Sequence, residues 1–203
     1  MSKPIFVTGI GTGVGKTIIS AILVEKLKAD YWKPIQAGDP DQSDTITVRS
    51  LVSNPVSHLH PEAYRLTQPY SPHKAAALDN IEIDPDKIVL PQTDNQLIIE
   101  GAGGLMVPLN NNYLMIDLVR KFDAEVILVS RNYLGSINHT LLSIDALKAR
   151  GITLKALIFN GNNDNFSEEL IVRYAPNSLV LRIPEILNLK KADILSAANH
   201  IEL

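Results

Sequence analysis

The sequence predicts a doubly wound α/β fold, a mostly parallel sheet with helices on both faces, and three observations predict it. Short apolar runs rich in β-formers, at 5–7, 97–99, 126–129 and 154–159, are bounded by Gly, Asn or charged residues, the pattern of strands buried on both faces. Longer stretches at 17–28, 114–122 and 136–150 carry apolar residues at helical spacing, the last stopped by Gly151. Strand and helix thus alternate, and a glycine-rich turn joins the first of each. Ligands of such sheets bind beyond the carboxyl ends of the strands, so the chemistry belongs in the strand-to-helix loops.

A chain of 203 residues is the length of one domain, read as spanning 1–203. Hydrophobic residues at 45% and charged residues at 20% place it with folded globular chains and away from disordered ones. Its 19 Lys and Arg against 22 Asp and Glu leave a net charge of −3. That is too balanced for bulk electrostatic binding, so neither nucleic acid nor membrane is expected as a partner. Cysteine is absent, which excludes disulfides, thiolate-bound zinc, iron–sulfur clusters and a thiol nucleophile. The apolar run near the N-terminus is too short for a signal-peptide core, and nowhere do about 18 apolar residues run together, so a cytoplasmic protein is expected. Residues 53–91, rich in proline and poor in periodicity, are expected to form an irregular excursion over the active face.

The turn after the first strand reads Gly9-Ile10-Gly11-Thr12-Gly13-Val14-Gly15-Lys16-Thr17 and leads straight into an apolar helix. This is the context of a phosphate loop, and it makes the expected fold one of the phosphate-loop (P-loop) NTPase type. Glycines let backbone N–H groups turn inward around phosphate oxygens, the helix N-terminus adds its dipole, Lys16 supplies charge and Thr17 offers a hydroxyl to Mg²⁺. The strict pattern G-x-x-x-x-G-K-[ST] is missed by one residue, since Ile10 stands where its first Gly belongs and Gly9 sits one step early.

Three further strand ends carry chemistry. The run 97–99 ends in Glu100, followed by Gly101, Ala102, Gly103 and Gly104; Glu100 is placed as a second Mg²⁺ ligand, or else as an ordinary strand-end acid. A second strand over 31–38 puts Lys33 inside an apolar run, where it must face an anion or snorkel to solvent. Asp44 opens a helical stretch, as a functional acid or simply as an N-cap. Gly135, Ser136, Ile137 and Asn138 begin the helix after the 126–129 strand, an anion site suited to carboxylate or a plain capped helix start. His139 lacks a partnered nucleophile and reads as structural, Lys74 as a solvated lysine, and Asn160 as either a base-reading amide or a turn cap.

In chain order, Val-Gly-Lys-Thr at 14–17, Lys-Pro-Ile-Gln-Ala-Gly at 33–38, Ser-Asp at 43–44, Ser-Pro-His at 71–73, Glu-Gly-Ala-Gly-Gly at 100–104, Gly-Ser-Ile-Asn-His at 135–139 and Asn160 resemble the dethiobiotin synthetase family. The resemblance spans nearly the whole chain. It implies an ATP-dependent cyclo-ligase of biotin biosynthesis. CO₂, drawn from bicarbonate, adds to 7,8-diaminononanoate as a carbamate, ATP converts this to a carbamic-phosphoric anhydride, and the second amine closes the cyclic urea of dethiobiotin. It implies Lys16 and Lys33 as catalytic groups and Thr17, Asp44 and Glu100 as ligands of Mg²⁺. It further implies ATP contacts from Thr12, Gly13, Val14, Gly15, Lys16, Thr17, Asp44, Glu100, Gly101, Ala102, Gly103, Asn160, Gly161, Pro184, Glu185 and Ile186. Finally it implies a homodimer in which Gly135, Ser136, Ile137 and Asn138 receive the substrate's tail carboxylate from the neighbouring subunit. Two positions depart from the family: Gly11 stands where Asp is common, and Ala37 where Ser or Thr is frequent.

Two rivals share the loop. A partitioning-type switch ATPase normally carries an early lysine in this motif, and positions 9–15 contain none. An amidating ligase of the cobyrinic-acid type is usually joined to a glutamine-hydrolysing domain with a Cys nucleophile, which this chain lacks.

Overall fold

A computed structural model describes residues 2–203. Seven strands form one sheet: β1 (Ile5–Gly9), β2 (Asp30–Trp32), β4 (Leu59–His60), β6 (Leu97–Gly104), β7 (Glu125–Ser130), β8 (Leu154–Asn160) and β9 (Leu179–Ile183). Their order is β4-β2-β6-β1-β7-β8-β9, and every pairing is parallel. A second, two-stranded parallel sheet pairs β3 (Ile35–Ala37) with β5 (Tyr64–Leu66).

The strands alternate their side chains between two apolar layers. Ile5 and Val7 of β1, with Ile127, Val129, Ala156 and Ile158, face a core completed by α1 (Lys16–Leu27), α2 (Asp44–Leu51) and α7 (Lys191–His200). Phe6, Leu97, Ile99 and Val126 face the opposite way, onto α3 (Pro72–Leu78) and α4 (Met115–Lys121). On that side Leu128, Leu157 and Phe159 meet α5 (Ser136–Lys148) and α6 (Asn165–Val172). Helix α1 is buried from Ile19 to Glu25 without a solvent face, as its nearly uninterrupted apolar sequence requires.

The chain leaves β1 through α1 toward β2 and leaves β6 through α4 toward β7, so β1 lies where the winding reverses. Crevices form beyond the strand ends at such a point, and the phosphate loop sits there. Ile10 is only partly buried and its N–H donates to Val129 O at 3.0 Å, so this residue extends the β1 pairing while its side chain packs against the core. The crowded position is Gly9, where a Cβ would lie 2.5 Å from Val14 Cγ2. That explains the displaced glycine.

Two expectations need correction. The strand predicted over 31–38 is two, β2 and β3, broken at Lys33 and Pro34. β2 is flanked on both sides, and Pro34 has no N–H to give a central ladder. The excursion 53–91 is not wholly irregular: it contains β4, β5, α3 and a 3₁₀ turn, Pro85–Lys87. The short strands lie below what periodicity resolves. Strand β9 and helix α7 complete the fold at the C-terminal end.

Ile22 is 1% exposed within α1. Ile22→Ala is expected to cost about 2–5 kcal/mol, read from urea unfolding; a loss well under that range would mean that α1 packs more loosely than described.

Candidate functional site

Beyond the ends of β1, β2 and β6 opens a cleft of about 720 Å³, walled by the phosphate loop (Thr12, Gly13, Gly15), by Ala102 and Gly103, and by Pro69, Tyr70, Ser71 and Pro72 from the excursion. Lys16, Thr17, Lys33, Asp44 and Glu100 converge on its floor. They come from four places: Lys16 and Thr17 open α1, Lys33 follows β2, Asp44 opens α2 and Glu100 lies within β6.

The loop's curvature depends on backbone that only glycine adopts easily, with Gly13 at φ 74° and Gly15 at φ 97°. At Gly15 a Cβ would also sit 2.1 Å from Asn160 Nδ2. That amide donates to Val14 O at 2.9 Å, so Asn160 ties the end of β8 to the phosphate loop. Val14 itself turns its side chain into the core. Lys16 Nζ donates to Gly11 O at 2.8 Å, which folds the lysine back over the loop.

A polar cluster occupies the floor. Thr17 Oγ1 lies 2.9 Å from Asp44 Oδ1 and 3.0 Å from Glu100 Oε1. Lys33 Nζ donates to Glu100 Oε1 at 3.2 Å and to Asp44 Oδ2. Lys33 therefore meets the expected anion and does not snorkel: its anions are two carboxylates, and only 5% of its side chain is exposed. Asp44 is not the helix cap, because Ser43 Oγ takes that role by accepting from Ile46 N. The Asp44 backbone N–H donates instead to Gln36 Oε1 at 3.2 Å.

The charges set one another. Burial disfavours the Lys33 ammonium, but Glu100 and Asp44 together outweigh it and hold its pKa above the ordinary lysine value. Burial likewise opposes ionisation of Asp44, and Lys33, Thr17 and Lys16 overcome it and hold its carboxyl low. Lys16 goes the other way. Burial and the neighbouring Lys33 outweigh the pull of Glu100 and Asp44 and bring it down to about 8.

Thr17, Asp44 and Glu100 present a hydroxyl and two carboxylates, all hard oxygen donors. No group of three acidic or histidine side chains able to hold a metal occurs among the described residues. One hydroxyl and one or two carboxylates completed by phosphate oxygens and water is the donor set that suits Mg²⁺, whereas Ca²⁺ favours a fuller protein cage.

The remaining predicted residues fall in several places. Gly101 packs against Phe6, where a Cβ would stand 2.7 Å away. Gly161 N donates to Ile183 O, Arg131 pairs with Glu185 at 2.6 Å, and Ile186 packs on the core, so Asn160, Gly161, Pro184, Glu185 and Ile186 cluster at the ends of β8 and β9. Gly135, Ser136, Ile137 and Asn138 line a separate groove with Leu134, Asn162 and Asp164, and within one chain they do not reach the cleft. Lys74 lies over the Tyr70 ring at 3.7 Å, and His139 Nδ1 is 2.8 Å from the Tyr133 hydroxyl. Sequence reasoning missed Tyr31, whose hydroxyl donates to Glu100 Oε2 at 3.0 Å, and Gln36. Tyr31 reads as one more strand aromatic, and no signal marks it.

Comparison with known proteins agrees with this geometry. A family model described as an AAA domain matches residues 3–193. Among curated relatives, the ATP-dependent dethiobiotin synthetase BioD of Christiangramia forsetii is 54% identical over 91% of this chain and 89% of its own length. Its namesake from Rhodopseudomonas palustris is 48% identical over 98% and 93%. Among solved structures, MinD from Pyrococcus horikoshii, complexed with Mg-ADP, superposes with a TM-score of 0.61 at 14% identity over 97% of this chain and 86% of its own. A ParA family ATPase from Chlorobium tepidum gives 0.60 at 14% identity, over 98% and 100%. At that identity the likeness is of fold alone. Fold and cleft define a phosphate-loop protein that uses ATP. The chain belongs to the ATP-dependent dethiobiotin synthetase family.

Lys16 carries a pH signature. In the unfolded chain it titrates near 10.5 and in the folded protein at about 8. Below the lower value it is charged in both states and its burial cost is fully present. Between the two values the folded state sheds the proton first, so its contribution to stability improves as pH rises. A bound phosphate reverses the preference, and nucleotide binding at about pH 9 is expected to take up a proton at Lys16. Titration calorimetry in buffers of differing ionisation enthalpy reads this directly. Lys16→Arg, which stays charged, should show little uptake; equal uptake in both proteins would refute the assignment.

Proposed function

We propose that the chain catalyses the ATP- and Mg²⁺-dependent closure of 7,8-diaminononanoate with CO₂ to dethiobiotin. The observation that carries this reading is the convergence of Lys16, Lys33, Thr17, Asp44 and Glu100 on one cleft floor beneath a phosphate loop, in a chain of this family.

One amine of the diamine attacks CO₂, forming a C–N bond and releasing a proton to give a carbamate. A carbamate oxygen attacks the γ-phosphorus of ATP and ADP leaves, giving a carbamic-phosphoric anhydride. The second amine attacks the carbonyl carbon, the C–O bond to phosphate breaks, phosphate departs and the amine proton goes to solvent. No thiol and no general-base histidine is needed, since the carbamate is already an anionic nucleophile. The protein's task is positioning and charge stabilisation.

In this scheme the loop from Thr12 to Thr17, with Gly101, Ala102 and Gly103, holds the triphosphate. Lys16 neutralises the transferring phosphoryl group, and Lys33 stabilises the carbamate and the anhydride. Thr17, Asp44 and Glu100 hold Mg²⁺, which when bound neutralises phosphate charge. Asn160, Gly161, Pro184, Glu185 and Ile186 surround the adenine. The groove at Gly135, Ser136, Ile137 and Asn138 takes the tail carboxylate of substrate bound in a second copy, making the enzyme a homodimer. Its separation from the cleft within one chain and the fully exposed Leu134 beside it support that reading. No described helix is long and apolar enough to cross a membrane, and the charge of −3 favours no nucleic acid; we place the enzyme in the cytoplasm.

Phosphate release with MgATP and bicarbonate should require the diamine, and mass spectrometry should find the cyclic urea. Diamine-independent release would reject the reading. Lys16→Ala is expected to lower kcat by about 10²–10³-fold. Lys33→Ala should retain nucleotide binding and slow turnover; near-normal turnover in either variant would remove its role. Because Lys33→Ala leaves Asp44 and Glu100 unpaired, its folding must be checked by thermal melting.

A further inference from the structure

We propose that Tyr31 is a positioning residue that sets the metal preference of this site, by holding Glu100 so that only one of its carboxylate oxygens faces the cleft. The inference rests on Thr17, Asp44 and Glu100 as metal donors. It concerns a residue outside that set, on the neighbouring strand, which does not line the cleft and touches the donor set only through Glu100.

Tyr31 is fully buried, and its ring lies in the core layer shared by α1, α2 and α7. In the sheet it pairs with Ile98, two residues before Glu100. Ile98 and Glu100 point to the same face, with a rise between them of about 6.6 Å. A tyrosine side chain leaning along the strand covers that span, and the hydroxyl donates to Glu100 Oε2 at 3.0 Å. The other oxygen, Oε1, meets the cleft groups: Thr17 Oγ1 at 3.0 Å and Lys33 Nζ at 3.2 Å. Glu100 is thus divided, with one oxygen committed to the core and one presented to the site. Phenylalanine would fill the same space and release Oε2.

The division matters because the two common divalent cations differ in what they ask of a carboxylate. Mg²⁺ takes octahedral oxygens one at a time, whereas Ca²⁺ accepts more ligands and often both oxygens of one carboxylate. With Oε2 held toward the core by the Tyr31 hydroxyl, Glu100 would have to turn and strain that hydrogen bond to bring both oxygens onto one ion. The tyrosine therefore works against Ca²⁺ without touching the metal, a role that neighbours of ligands commonly fill.

The test compares native protein with Tyr31→Phe, each holding ADP. Mn²⁺ binding is followed by electron paramagnetic resonance and competed with Mg²⁺ and with Ca²⁺. Tyr31→Phe is expected to shift the Mg²⁺ to Ca²⁺ preference toward Ca²⁺ by about tenfold, with Mn²⁺ stoichiometry kept. An unchanged ratio would overturn the proposal. Ile98→Val thins the packing beside Tyr31 but keeps the hydroxyl, and an equal shift in that variant would also overturn it, by showing a merely structural effect. If Glu100→Gln binds Mn²⁺ as the native protein does, the metal reading itself fails and this inference falls with it. Should Tyr31→Phe fail to fold, infrared spectra of native protein labelled with ¹³C-glutamate decide the matter. A one-oxygen carboxylate signature on Mg²⁺ addition is expected, and a two-oxygen signature refutes it.

Discussion

The buried meeting of Lys33 with Asp44 and Glu100 is the constraint on which the rest of the molecule depends. Glu100 and Lys33 have side chains 1% and 5% exposed, and neither charge is tolerable there alone. Removing one member of such a pair typically costs about 3–5 kcal/mol, because its partner is left charged and dry. The cluster joins β6, the end of β2, the start of α2 and, through Thr17, the start of α1. Gln36 adds β3 by accepting from the Asp44 N–H. Elements far apart in sequence are thereby held to one geometry, and that geometry is the floor of the cleft.

Much of this architecture was legible in the sequence, and the physical reason is burial. Strands covered on both faces must be continuously apolar, so β1, β7 and β8 stand out within a residue or two of their ends, and β6 at its start, its glycine-rich end from Gly101 to Gly104 carrying no apolar run. The edges were less visible. β4 has two residues, and β9 is buried fully only at Ile183, so neither has to carry a long apolar run. The break between β2 and β3 was written in Pro34, yet apolar residues on both sides masked it.

The site divides in the same way. Lys16, Thr17 and Glu100 were singled out because phosphate and metal chemistry would call for those residue types just past strand ends, and Lys33 because a lysine inside an apolar run needs an explanation; the structure brings all four to one cleft. Asp44 was ambiguous in sequence, since an acid at a helix start is so often a cap; the structure gives the cap to Ser43 and turns Asp44 to the cleft. Tyr31 and Gln36 were invisible because their roles are relational. A tyrosine in a strand and a glutamine after one become informative only when a carboxylate and a backbone N–H are placed beside them. Asn160 was read as a base contact or a turn cap; its amide also bonds to Val14 O, pressed so close to the loop that only glycine fits at position 15.

The two cleft lysines show how one small volume gives the same side chain two characters. Both are buried, and burial lowers the pKa of each. Lys33 has two carboxylates within reach, which more than repair the loss, so it is a fixed positive charge. Lys16 has only a carbonyl oxygen as its near partner, feels those carboxylates from farther off and is repelled by Lys33, so its charge is weakly held until an anion arrives. In the proposed reaction a fixed cation suits the group assigned to stabilise an unstable carbamate. A cation whose charge is completed by phosphate suits a group whose ligand comes and goes. The difference follows from where the two carboxylates sit, and their position follows from the strands and helices that carry them.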